Sequence, residues 1–314
     1  MSGTQYTDAH GSVVYFRRTD RILRRVHGRS PARMLNGLLS GSMPADSGRA
    51  FWSAILSPKG KMISDVRVSR LEDGEAGALL LDLPVAGAEE ALAHLARFLP
   101  PRFAAVEELR EPAGVITLVG PDAAALLADG SASFGPNASE LAALAEGDER
   151  VIVDASETGL RAIRTVRAIP LSFDVIGTDS ALARLEEDWK RRGISRGTEE
   201  LGEVLRVERG LPAFGAEIDS DTIPMEVGTE NRYIDHTKGC YTGQEVIVRI
   251  RDRGHVNRLL RGALLGSASL PAPGTSLALP EGGRVVGEIR SAVWSPGFGQ
   301  GIGLAIVRRE VDPP

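Results

Sequence analysis

The chain of 314 residues contains a single cysteine, Cys240, so no intramolecular disulfide can form and an all-cysteine iron–sulfur cluster cannot be held by this chain alone. CxxC and HExxH spacings are missing, which removes a dithiol redox pair and a helical zinc site. No long apolar run is present, so a membrane-spanning helix is not expected. Positive charge is not in surplus either. With 37 Lys+Arg against 42 Asp+Glu the net charge is −5, and aromatics make up only 5%, which together argue against stable nucleic-acid binding. The opening MSGTQYTDAH lacks the basic and apolar regions of a secretory signal. Together with the lone thiol, this points to a cytoplasmic protein without membrane contact.

What remains is an ordinary globular composition, 42% hydrophobic and 25% charged, in a chain long enough for two or three domains. Leu79 to Leu83, Val115 to Val119 and Leu171 to Ile176 are apolar runs of strand length. Between them lie helical patterns. Ala88, Leu92, Leu95 and Leu99 share one face, as do Leu182, Leu185 and Trp189, and Glu199 to Glu208 follows Thr198 and stops at Gly210-Leu211-Pro212. This alternation predicts α/β or α+β packing. After about Asn257, short apolar runs separated by Gly and Pro predict a small β-barrel or sandwich. A faint internal echo, strand then Gly then cap then helix, occurs at Gly28 and again at Gly120, 92 residues later, and is consistent with two duplicated lobes.

The densest polar motif is Lys238-Gly239-Cys240-Tyr241-Thr242-Gly243-Gln244-Glu245. Its two glycines permit tight turns and close approach, and Lys238 beside the thiol would favour the thiolate. His236 lies four residues before Cys240, but no oxyanion-hole or orienting residue can be identified for a cysteine hydrolase. Asp65 follows the turn Pro58-Lys59-Gly60 and could accept a proton or pair with a ligand nitrogen. Glu226, in Pro224-Met225-Glu226, places a carboxylate where an N–H-rich ring could be held. The glycines at 297, 299, 301 and 303 precede a strand and no helix, so they do not form a dinucleotide loop.

The eight residues Lys238 to Glu245 resemble the signature of the YgfZ family, folate-binding relatives of the glycine-cleavage T-protein that assist iron–sulfur enzymes. The resemblance continues through Arg209-Gly210-Leu211-Pro212, Gly215, Pro224-Met225-Glu226, Arg249, Gly254 and Ser295-Pro296, and at the N-terminal end through Gly28 to Leu35 and Lys59 to Asp65. It implies an α+β, T-protein-like ring of three lobes. Two would be ferredoxin-like, residues 1–110 with part of 171–255 and residues 111–170 with part of 171–210, and residues 256–314 would form a β-barrel. It implies tetrahydrofolate in a central channel, with Asp65 near the reacting nitrogens, Glu226 on the pterin's donors, and Tyr241 and Arg258 as further folate contacts. Cys240 and Lys238 would serve iron–sulfur client proteins or their assembly machinery, including enzymes that thiolate tRNA. Ser64-Asp65 stands where the T-protein carries two adjacent acids. The alternative the resemblance leaves open is a folate-dependent aminomethyltransferase, with Asp65 promoting attack by the folate nitrogen.

Overall fold

The computed structural model describes residues 3–43, 48–71, 77–129, 136–153, 159–167, 171–266, 269–280 and 283–311. They form an α+β architecture on three sheets. The first is antiparallel, with spatial order Phe51–Leu56, Met62–Arg70, Leu79–Pro84, Arg21–His27 and Ala105–Glu107. The amphipathic helix Val85–Phe98 covers it, burying Ala88, Ala91 and Leu95 against Val66, Val68, Leu81 and Leu83. The periodicity at Ala88, Leu92 and Leu95 thus marks the core-facing side, and the helix begins three residues earlier than the pattern.

The second sheet runs Ser195–Arg196, Val14–Arg18, Ala113–Val119, Ser172–Thr178, Gly159–Thr165 and Glu149–Val153. Trp189 and Leu182 of the helix Asp179–Arg191 pack into its core with Tyr15 and Phe173. Thr178 and Thr198 cap the helices that follow them, each hydroxyl accepting a backbone N–H of the first turn, from Ala181 and Leu201. The domain division differs from the sequence expectation at the N-terminal end, where the helix Gly3–Gly11 and the strand after it pack with the second sheet. Val14–Arg18 pairs along its length with Ala113–Val119, placing it in the second sheet and outside a first lobe that begins at residue 1. Burial explains the assignment: Tyr15 fills the second-lobe core, while Val14 and Phe16 pack on Leu201 and Leu205. The C-terminal strands Arg258–Gly266, Gln300–Arg308, Val285–Ser295 and Ser276–Ala278 form a four-stranded antiparallel sheet in that order, with a bulge on each ladder.

The echo between Gly28 and Gly120 is real in three dimensions. Both take positive φ, 127° and 132°. Each faces a backbone carbonyl where a Cβ would stand, that of Phe103 for Gly28 and of Ser12 for Gly120. In each case the same carbonyl accepts the N–H two residues further on, from Ser30 or Asp122, at 3.0 Å. Only glycine satisfies this geometry.

The first two lobes meet through an apolar seam of Leu23, Ala50 and Leu80 against Val115, Ile163 and Ile176. Beside it lies a buried ion cluster. Arg67, 1% exposed, donates Nη1 to Asp174 Oδ2 at 2.6 Å across the seam and Nη2 to Asp82 within its own sheet. Arg21 Nε reaches Asp82 Oδ1 at 2.6 Å, and Thr117 Oγ1 donates to Asp174 Oδ1 at 2.6 Å. Burial alone would raise the Asp174 carboxyl, but Arg67, Arg18 and Arg167 outweigh it and hold it at about 2. Its folded value therefore lies below the unfolded one, so its stabilisation is complete above pH ~4 and is lost as pH falls through about 2. Arg67→Ala leaves the buried Asp174 without its paired cation and Asp82 with Arg21 alone, and about 3–5 kcal/mol of unfolding free energy should be lost, read from the urea midpoint at pH 7. In Asp174→Asn the decline in stability between pH ~4 and 2 should become shallower than in the wild type. An unchanged midpoint in the first variant would show that the apolar seam alone holds the lobes.

Candidate functional site

A cavity of about 380 Å³ opens where the two sheets and the segment after the helix Glu199–Glu208 converge. That volume lies within the range of small-molecule sites. Its walls carry aromatic faces, Trp52, Phe214 and Tyr233, and an unusual density of charge. Strand alternation creates the charged wall. On Met62–Arg70, Val66 and Val68 point into the first-lobe core, so Asp65 and Arg67 point the other way. Ala54 pairs with Asp65 and Trp52 with Arg67, which sets the indole beside the guanidinium. Three guanidinium groups surround that ring, those of Arg21 and Arg67 at 5.3 Å from its centroid and that of Arg232 at 4.3 Å.

Asp65 is 4% exposed and lines the cavity. Its Oδ2 accepts a long contact, 3.4 Å, from Arg21 Nη1, whereas its buried Oδ1 has no hydrogen-bond partner. A buried carboxylate oxygen left unsatisfied is costly, and a ligand N–H or O–H would relieve it. Burial raises the Tyr233 hydroxyl pKa above its ordinary value, the Asp65 charge adds to the rise, and the phenol stays protonated. Asp65 and the aromatic faces can therefore hold a flat, donor-bearing ring.

The other residues singled out in the sequence lie outside this cavity. Glu226 is committed locally, its Oε2 accepting Ile223 N–H at 3.0 Å and its Oε1 accepting Arg258 Nε at 2.9 Å. Arg258 also donates to the Asp221 carbonyl at 3.0 Å. This pair joins the short helix Pro224–Val227 to the strand Arg258–Gly266, and neither member lines the cavity. Tyr241 is buried among Ile218, Val227, Ile247 and Met62.

The motif loop is anchored to the first lobe at several points. Lys238 Nζ donates to three carbonyls, Asn36 at 2.8 Å and Leu39 and Gly41 at 2.7 Å. Burial pushes its ammonium down to about 8, with Asp235 opposing, so it remains charged at neutral pH. Its proton-donating capacity is thus spent on backbone oxygens. Gly243, at φ 84°, approaches the Ser57 carbonyl and Gly60, where a Cβ would stand 2.6 Å from that oxygen. Thr242 N–H donates to the Gly37 carbonyl at 3.2 Å. Cys240 alone of these residues points away, exposed and outside the cavity lining. Among the described residues no group of three or more His, Cys, Asp or Glu could hold a metal ion. No helix among them is long and apolar enough to cross a membrane.

A family model described as the GCVT N-terminal domain matches residues 22–234. The chain belongs to that family. Relatives with assigned functions include an aminomethyltransferase of Rubrobacter xylanophilus, 26% identical over 97% of this chain and 76% of that protein. The tRNA-modifying protein YgfZ of Escherichia coli is 34% identical over 40% of this chain and 39% of its own length. In fold, the glycine cleavage system aminomethyltransferase T from Bartonella henselae superposes with a TM-score of 0.81 at 18% identity, covering 97% of this chain and 81% of that one. GCVT-type relatedness thus extends over both α+β lobes.

Trp52, Tyr233, Arg21 and Asp174 were not anticipated from sequence. One signal for them existed. Ser64-Asp65-Val66-Arg67-Val68 alternates charge with valine in a strand, a pattern that buries charge when both faces are covered. Lys238→Met removes the hydrogen bonds to three carbonyls and should lower stability by about 2–4 kcal/mol. Thermal unfolding and the alkylation rate of Cys240 provide the check: a lower Tm with faster alkylation is expected, and neither changing would remove the anchoring role.

Proposed function

We propose that this GCVT-family protein binds a reduced folate in the interlobe cavity and serves as an accessory factor for iron–sulfur proteins, with Cys240 acting on the partner. The observation that carries the folate half is Asp65, with an unpartnered Oδ1, on the wall of a cavity that Trp52, Phe214 and Tyr233 also line. A reduced pterin offers what such a wall lacks, a planar ring edged with N–H donors. Asp65 would accept from those donors, and the aromatic faces would exclude water from the ring. Bound tetrahydrofolate would supply a nucleophilic nitrogen or a carried one-carbon unit.

The thiol half rests on placement. Lys238, Tyr241 and Gly243 anchor the loop, and they leave an exposed thiol outside the cavity lining, available to a protein surface. The likeness to YgfZ supports the same reading, including service to enzymes that modify tRNA. The aminomethyltransferase reading is favoured by a different observation, the Rubrobacter enzyme's match along nearly the whole chain, and it uses the same Asp65.

Calorimetric titration with 5-formyltetrahydrofolate should give saturable binding to the wild type and about tenfold or weaker binding to Asp65→Asn. Equal affinity of the two would overturn the folate site. For the thiol, cells lacking their own homologue should recover a four-iron enzyme's activity under oxidative stress with the wild type and fail with Cys240→Ala. Rescue by both would remove Cys240 from the function. Folate-dependent ammonia release from an aminomethyl-lipoyl carrier would establish the transferase reading instead.

A further inference from the structure

Five arginines line the cavity: Arg18, Arg21, Arg167, Arg206 and Arg232. Four of them are matched to acids. Arg18 is bidentate on Asp20, with both contacts at 2.6 Å. Arg21 serves Asp82 and Asp65. Arg206 is held by Glu203 and, at 2.7 Å, by Glu217. Arg232 meets Glu146 at 2.7 Å. Arg167 differs. Among the described residues it has no hydrogen bond and no ion pair, and Asp174 and Asp20 act on it only at longer range. It stands on the wall shared by the main cavity and a smaller chamber of about 210 Å³, which is also lined by Phe16, Glu199 and Gly202.

A guanidinium carries five donors in a planar fork, and that of the half-buried Arg167 has no acid paired with it among the described residues. Burial and the Arg18 charge both push Arg167 below the ordinary guanidinium range, with Asp174 and Asp20 opposing. The acids whose charge acts on Arg167 are already paired: Asp20 with Arg18, Asp174 with Arg67 and Thr117, and Glu203 with Arg206. Among the described residues no acid pairs with Arg167, and an anion small enough to enter the cavity could take that place. Oxyanions match the fork best, because they accept two parallel N–H bonds.

We propose that Arg167 anchors an oxyanion subsite, taking a carboxylate or phosphate group of the molecule that occupies the cavity. Arg167 lines both chambers, whereas Trp52 and Tyr233 line only the main one, so the anion is held apart from the ring contacts. The cavity's ligand would then be two-ended, with a donor-bearing ring read by Asp65 and an anion read by Arg167. The ring half of that description rests on the folate reading, and the anion half does not.

The full chain should be titrated calorimetrically with inorganic phosphate and with acetate, as the wild type, Arg167→Gln and Arg167→Lys. Saturable binding of at least one anion to the wild type, at least tenfold weaker in Arg167→Gln and partly retained in Arg167→Lys, is expected. Absence of saturable binding to the wild type, or equal binding in Arg167→Gln, would overturn the subsite. Near-ultraviolet circular dichroism establishes that each variant is folded, and Arg167→Lys keeps the test valid if the glutamine variant is not. If 5-formyltetrahydrofolate fails to bind while anion binding still depends on Arg167, the folate reading falls and the subsite stands. Preference for phosphate over acetate, or the reverse, identifies which oxyanion the ligand carries.

Discussion

The interlobe position of the Arg67 guanidinium is the constraint on which the rest of the site depends. An arginine 1% exposed is tolerable only with both faces of its fork satisfied, and here one carboxylate comes from each lobe, Asp82 from the first and Asp174 from the second. The lobes can therefore meet in only one register without stranding a charge. The apolar seam of Leu23, Leu80, Val115, Ile163 and Ile176 supplies non-directional burial, and the ion cluster supplies the registration. Because Trp52 lies beside Arg67 and Asp65 two residues before it, the same registration sets the aromatic face and the free carboxylate oxygen along one cavity wall.

Much of the fold was legible because it obeys simple periods. Helix Val85–Phe98, strand Leu79–Pro84 and the two threonine-capped helices follow from spacing and caps, and the glycine echo at 28 and 120 proved to be one backbone device used twice. Two elements were not legible. Gln244–Arg253 is a helix although its core reads Val246-Ile247-Val248, since Gly243 in the left-handed region turns the chain and Ile247 packs against Tyr241 and Met62. Val14–Arg18 belongs to the second sheet because its partners lie about a hundred residues downstream, information that local patterning does not contain.

The candidate site was legible only in part, for a related reason. Motifs are local, so they drew attention to Lys238 through Glu245 and to Asp65, and of these Asp65 alone lines the cavity. Lys238 and Tyr241 proved to be anchors, and Glu226 and Arg258 bind one another. The cavity's cations arrive from separate segments, Arg18 and Arg21 around one turn, Arg167, Arg206 and Arg232 each alone. No spacing rule could gather them. Their chemistry depends on which acids the fold brings near, and among the described residues this matching leaves Arg167 without a paired one.

The strand Met62–Arg70 joins the cavity to the motif loop. The turn before it, Ser57 to Gly60, is the surface against which Gly243 of the motif loop closes. Its middle holds Asp65 at the cavity, and Arg67 two residues on locks the lobes. A second connection runs through Ser40, whose hydroxyl donates to the Tyr233 carbonyl at 2.7 Å while the flanking carbonyls of Leu39 and Gly41 hold Lys238. Motif loop and cavity therefore share rigid backbone at two places. The Ser57 to Gly60 turn and Ser40 are thus the two points at which the motif loop meets the backbone around the cavity.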